Sequence, residues 1–284
     1  MENGEERLEK RKEITGKREE RRGKRNESSQ SEQTDTQHST LNIKHSAQGF
    51  ALAVSMLTIL PFFKIHNFFK GINGYAVMSY PIVGALLGGI LWLTYTLLLP
   101  YLPDAHLHVI LFVLWVILTG ALHLDGFSDT VDGLFVPKER AEEVMKDPHA
   151  GGMGMIFSIT FLIFKASSLW FLDAIYLLPI VLMLSRYNAV LAIYFFPYIR
   201  KEGMSTLAKQ EFTKAQLLLS TIVVIAFVLF TNSWLLLLFS LLTLLFVKHF
   251  FIKRLGGFSG DVYGFLIEVT ELVLLNILLF GVTA

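Results

Sequence analysis

The chain has 284 residues, 53% of them hydrophobic and 17% charged, with a mean hydropathy of +0.51, a balance that suits a chain dissolved in lipid better than a soluble domain. A formal net charge of +1 offers no extended basic face for a polyanion, so nucleic-acid binding is without support. The absence of cysteine excludes disulfides, thiolate metal sites, iron–sulfur clusters and cysteine nucleophiles together, and leaves oxygen and imidazole as the only metal ligands.

Residues 1–45 carry eleven Lys/Arg and ten Asp/Glu with almost no large apolar side chains. That is too little apolar surface to offset the entropy of ordering, so they read as a disordered, charged extension with transient helix around Glu5–Arg22. No short apolar region with a small-residue cleavage site follows, so the start does not read as a signal peptide.

From residue 46 onward, apolar segments near 47–62, 73–99, 107–122, 155–172, 174–196, 215–231, 233–249 and 264–282 alternate with short polar connections. Most approach the length that spans hydrocarbon, which predicts an all-α polytopic membrane bundle of seven to eight transmembrane or re-entrant segments. The first is short and ends at Pro61, so it reads as re-entrant or interfacial more readily than as a span. The second carries Pro81 and the glycines 84, 88 and 89, which predict a kink or close packing through small residues. Lys and Arg gather in the connections 63–72, 123–154, 197–214 and 250–263 and are absent from those at 100–106, 173 and 232. The positive-inside rule places the first set, and both polar motifs, on the cytoplasmic face.

The first motif is His123-Leu-Asp125-Gly-Phe-Ser-Asp129-Thr-Val-Asp132-Gly133. Asp125, Asp129 and Asp132 stand at i, i+4 and i+7, so a helix projects all three carboxylates from one face. An aspartate at the centre of a span costs roughly 2.5–3.5 kcal/mol, and three on the order of 8–10 kcal/mol, so they must face a cation, a polar cavity or water. A divalent cation held by carboxylates and retained waters, Mg²⁺ or else Mn²⁺, answers both the repulsion and the placement. His123 is a candidate ligand, proton carrier or phosphate contact.

The segment 138–146 reads as a short amphipathic surface helix. It leads into Met145-Lys146-Asp147-Pro-His-Ala-Gly151-Gly-Met-Gly154, where Lys146 and a glycine-rich turn suit phosphate oxygens, although a plain helix-capping turn accounts for the same residues. Arg186 lies in an otherwise apolar segment and reads as a bidentate phosphate clamp or as the partner of a buried acid. Lys165 and Asp173 sit near span ends, where snorkelling suffices. The second polar region, Gly256-Gly257-Phe-Ser-Gly260-Asp261-Val-Tyr-Gly264, opens the last apolar helix, with glycines that allow amides to approach a phosphate. Glu268 and Glu271 follow inside that helix. Intramembrane acids of this kind mark a functional site by default, with a hydrogen-bonded or interfacial glutamate as the plainer reading.

Taken in order, His-Leu-Asp-Gly-Phe-Ser-Asp-Thr-Val-Asp-Gly-Leu at 123–134, Met-Lys-Asp with its glycine-rich turn at 145–154, Ser-Arg at 185–186, and Gly-Gly-Phe-Ser-Gly-Asp through Glu-Val-Thr-Glu at 256–271 resemble the cobalamin synthase family. The likeness covers roughly residues 47–284. It implies a Mg²⁺-dependent polytopic enzyme that joins adenosylcobinamide-GDP to α-ribazole or its 5′-phosphate and releases GMP. Carried onto this chain, it suggests that Asp125, Asp129 and Asp132 hold the metal on the diphosphate, with Asp261, Glu268 or Glu271 completing the shell. His123 or a carboxylate would take the attacking hydroxyl's proton. Lys146, Asp147, Gly151, Gly154, Arg186, Gly257 and Gly260 would bind substrate. Family members usually begin near the first apolar segment, so residues 1–45 stand as an extension ahead of the membrane domain 46–284. A CDP-alcohol phosphotransferase is a rival with a longer gap between its first Asp-Gly and later aspartates, and a cation-coupled transporter would scatter its acids over more helices. Oligomer formation is open at this point.

Overall fold

The computed structural model describes residues 43–60, 68–149, 151–200 and 203–281, so the expectation for residues 1–45 lies almost wholly outside the described residues. From Ile43 the chain forms one unit of eleven α-helices: α1 (Ile43–Leu57), α2 (Ile72–Leu98), α3 (Asp104–Leu118), α4 (Leu122–Leu134), α5 (Lys138–Val144), α6 (Gly152–Trp170), α7 (Leu178–Phe195), α8 (Met204–Glu211), α9 (Lys214–Thr231), α10 (Trp234–Leu255) and α11 (Gly260–Leu279). A 3₁₀ turn, Ile175–Leu177, leads into α7. No strand occurs among the described residues; a lone backbone bridge pairs Tyr198 with Phe258.

Among the described residues six helices, α2, α6, α7 with its 3₁₀ lead, α9, α10 and α11, are long and apolar enough to cross a bilayer, and a seventh crossing results if α3 and α4 count as one broken span. The protein is therefore an all-helical, multi-pass membrane bundle, as the hydropathy pattern predicts. Helix α1 has 15 residues, about 22 Å at 1.5 Å per residue, short of the ~30 Å of hydrocarbon. That agrees with the seven-segment version of the sequence reading.

Helix α7 is the centre of the bundle. Every residue from Leu178 to Val190 is buried, as expected of a helix apolar on all sides. Helix α2 lies against it through Gly84 and Gly88, four residues apart. A Cβ at Gly84 would stand 2.2 Å from the Leu182 carbonyl oxygen, and one at Gly88 2.5 Å from the Leu178 oxygen, so only glycine lets the two backbones meet. Pro81 is accommodated within α2, which runs on to Leu98. The outer helices instead expose apolar ridges, such as Ile156, Ile159 and Ile163 on α6, Leu218, Ile222 and Leu229 on α9, and Leu238, Leu242 and Leu245 on α10. Ridges of this size at helical spacing suit lipid and not water.

One backbone feature sets the site. Gly120 and Ala121 adopt left-handed conformations, φ 58° and 53°, which end α3 and turn α4 by 79° from it. A non-glycine residue at positive φ is uncommon and needs surrounding contacts to hold it. Here the Ile59 amide donates to the Leu118 carbonyl at 3.0 Å, and the Ile59 side chain fills the space a Cβ at Gly120 would need. The acidic motif thus forms a separate helix laid across the bundle.

Candidate active site

Helix α4 packs on the first turns of α11 by a reciprocal glycine contact. A Cβ at Gly126 would come within 2.9 Å of the Asp261 carbonyl oxygen, and one at Gly264 within 3.1 Å of that of His123. These glycines serve close helix packing, and through it they bring Asp261 beside the aspartates of α4. Asp125 is exposed, while Asp129, one turn on, is half-buried and lies in the field of Asp125, Asp132, Asp261 and Arg200. Asp261 sits in the first turn of α11, which Ser259 caps by accepting from the Val262 amide at 3.3 Å. Its carboxylate forms an ion pair with Arg200.

In the sequence Arg200 is one of the basic residues of the 197–214 connection that mark its side of the membrane. It stands at the end of the loop leaving α7, which is tied to the start of α11 by the Ile199 amide donating to the Phe258 carbonyl at 2.9 Å and the Phe258 amide to that of Pro197 at 2.8 Å. Those bonds explain Gly257, whose Cβ would lie 2.5 Å from the Pro197 oxygen. Glycine at this position lets the junction close. Loop arginines on the cytoplasmic side are too common for sequence to single this one out.

Asp132 has a different environment from its neighbours. It is 8% exposed, and its carboxylate accepts the Gly151 amide at 2.9 Å and the Gly154 amide at 2.7 Å. A Cβ at either glycine would stand 2.3 Å from a carboxylate oxygen. The glycine-rich turn therefore wraps the protein's own carboxylate at the amino terminus of α6, where amides and helix dipole favour an anion. Asp132 thereby ties α4 to α6, and the Gly151 and Gly154 amides are given to it. Lys146 is turned toward Glu142 at 2.6 Å on the exposed side of α5. The backbone amide and ring of His149 hold the exposed Asp147 carboxyl below its usual range. Gly260, by contrast, is open, with only Ser205 Oγ at 3.4 Å from its would-be Cβ.

Glu268 and Glu271 also differ from expectation. Lys165 Nζ donates to Glu268 Oε2 at 2.6 Å and to Glu271 Oε2 at 2.5 Å, and lies 4.3 Å from the centre of the Trp115 ring. Arg186 pairs with the other oxygen of Glu271 and donates to Ser185 Oγ at 2.9 Å. All four ionic side chains are buried. Two cations and two anions sum to zero, which is how charges persist inside a bundle. The four side chains form an ionic junction of α6, α7 and α11 in which Arg186 is the partner of Glu271, with its Nε and one terminal nitrogen left without a hydrogen bond, and Lys165 is buried and does not snorkel. Asp173 is exposed at a span end, as expected.

What remains for a cation is Asp125, Asp129 and Asp261. Among the described residues no three acid or histidine side chains stand arranged as a ready cage, so an ion here would take further ligands from a bound substrate or water. Beside these carboxylates, a cavity of about 240 Å³ is lined by His123, Asp125, Tyr80, Tyr263, Asp261 and Gly260, with Met56, Leu57, Ala189, Ile193 and Ile267 among its apolar walls.

The family model described as cobalamin-5-phosphate synthase matches residues 49–279. The adenosylcobinamide-GDP ribazoletransferase of Desulfitobacterium hafniense (strain Y51) is 37% identical over 219 residues, 69% of this chain and 82% of that protein. The protein of the same name from Acinetobacter baumannii (strain ACICU) is 34% identical over 235 residues, covering 80% and 94%. That from Desulforamulus reducens is 36% identical over 246 residues, covering 81% and 95%. No solved structure matches. A match running from within α1 to the end of α11 takes in every motif described above, and the chain belongs to the cobalamin-5-phosphate synthase family.

Proposed function

We propose that this chain is an adenosylcobinamide-GDP ribazoletransferase: it transfers the adenosylcobinamide phosphate of adenosylcobinamide-GDP to α-ribazole or its 5′-phosphate, forming adenosylcobalamin or its phosphate and GMP. The observation that carries the reading is the close packing of α4, which bears Asp125 and Asp129, on the start of α11, which bears Asp261, next to a partly apolar cavity, in a chain of this family. The acceptor's ribose hydroxyl oxygen bonds to the phosphorus on the cobinamide side. The P–O bond to GMP breaks, and the hydroxyl proton passes to a group at the cavity rim, where His123 and Asp125 both stand.

Two to three carboxylates on one open face fit Mg²⁺, which is usually held by one or two carboxylates, waters and substrate phosphates and not by an all-protein cage. Asp125, Asp129 and Asp261 would hold it. When bound, it supplies charge neutralisation on the phosphoryl oxygens. Arg200, paired with Asp261, is the cation placed to meet the diphosphate. The ionic junction on α11 and the Asp132 clamp keep α4, α6, α7 and α11 in register beneath these groups. The basic connections argue for a cytoplasm-facing site.

The test is GMP release by the purified full-length protein from adenosylcobinamide-GDP, with and without α-ribazole and with and without EDTA. Acceptor-dependent release that EDTA abolishes is expected. Asp129→Asn should insert and purify normally yet lose at least 100-fold in kcat; full retained activity would sink the carboxylate assignment.

A further inference from the structure

The cavity beside the acidic face holds two polar groups that the fold leaves unanswered. His123 is 4% exposed and Tyr263 6%, both line the cavity, and neither imidazole nitrogen nor the phenol oxygen has a hydrogen-bond partner. Buried polar atoms are paired in the great majority of cases, so orphaned groups on one cavity wall call for a partner from outside the chain. We propose that this cavity is the seat of the acceptor's heterocyclic base, a flat, largely apolar fused ring whose one free ring nitrogen accepts from the Tyr263 hydroxyl, with His123 left to the attached ribose. The proposal rests on the transferase reading above and adds to it where the acceptor binds.

Three observations select the base of the acceptor over other parts of the reactants. At about 240 Å³ the space is below the ~300–1,000 Å³ common for ligand pockets, so it suits a fused bicyclic ring and not a corrinoid macrocycle. Its walls are mainly aliphatic and aromatic, from Met56, Leu57, Tyr80, Ala189, Ile193 and Ile267, whereas guanine carries donors and acceptors on nearly every edge and would leave several unpaired. A lipid chain would fill the volume and leave His123 and Tyr263 orphaned. The benzimidazole of α-ribazole has one free ring nitrogen, which accepts a single hydrogen bond and answers the Tyr263 hydroxyl, while the hydroxyls of the attached ribose answer His123. Asp125, Asp261 and Gly260 stand at the same cavity, so a base seated inside directs its ribose toward the carboxylates. Stacking of Tyr263 on Phe258 and Tyr198, with ring centres 5.7 and 6.0 Å away, fixes the phenol in place.

The test uses the full-length protein in detergent or nanodiscs. Ala189→Leu puts a larger side chain into the cavity and should raise the KM for α-ribazole more than tenfold, with the KM for adenosylcobinamide-GDP within about twofold. Tyr263→Phe, which removes only the hydroxyl, should raise the acceptor KM roughly three- to tenfold, as one hydrogen bond implies. Calorimetry with α-ribazole alone, without donor or Mg²⁺, should show binding to the unmodified protein, at least tenfold weaker binding to Ala189→Leu and roughly three- to tenfold weaker binding to Tyr263→Phe. An unchanged acceptor KM and affinity in Tyr263→Phe, or a rise in donor KM instead, overturns the assignment. Absence of transfer by the unmodified protein would overturn the preceding reading instead, and is scored before any variant is compared.

Discussion

The sharpest division between a ligand role and a packing role falls on Glu271, whose carboxylate is fully buried and touches both Lys165 and Arg186. Glu271→Gln keeps the shape and removes the charge. The junction then carries two cations against Glu268 alone, and Arg186 loses its only ionic partner in the cluster. Removing one partner of a buried ion pair costs about 3–5 kcal/mol, because an uncompensated charge stays behind. At about 2–4 °C per kcal/mol for a chain of this size, the melting temperature should fall on the order of 10 °C. Thermal unfolding followed by tryptophan fluorescence in detergent measures it. The double variant Glu271→Leu with Arg186→Met restores neutrality with apolar bulk and should recover much of the loss. An unchanged melting curve together with complete loss of transfer would refute the reasoning and return Glu271 to the metal site.

Two further substitutions separate the remaining roles. Asp132→Ala leaves the Gly151 and Gly154 amides without their acceptor and should cost about 2–3 kcal/mol, since hydrogen bonds to a charged group contribute ~1.5–3 kcal/mol; a thermal melt no lower than that of the unmodified protein would contradict the clamp. Arg200→Ala removes the guanidinium beside Asp261 and should raise the donor KM about tenfold while stability changes by less than ~1 kcal/mol, because a partly exposed pair contributes little. Equal donor kinetics would remove Arg200 from the site.

The helices were legible because hydropathy over a span is a local property: the six long apolar segments and the surface helix α5 fall where composition alone puts them. The one-face pattern of Asp125, Asp129 and Asp132 was legible for the same reason. What each acid does was not, because a carboxylate's role depends on which group from a distant segment arrives opposite it. Asp132 meets amides some 20 residues on, Glu271 meets Lys165 and Arg186 across 106 and 85 positions, and Asp261 meets Arg200 across 61. No periodicity records such partners.

The sequence by itself therefore determined the solvent and the helices, since both follow from residue type and spacing along one segment. The tertiary structure decided which acids are left free. The left-handed break at Gly120 and Ala121 swings α4 across the bundle, and the Gly126–Asp261 and Gly264–His123 contacts press it on α11. Asp132, Glu268 and Glu271 pair with buried amides and cations, while Asp125 and Asp129 on α4 and the Arg200-paired Asp261 lie on the more open side.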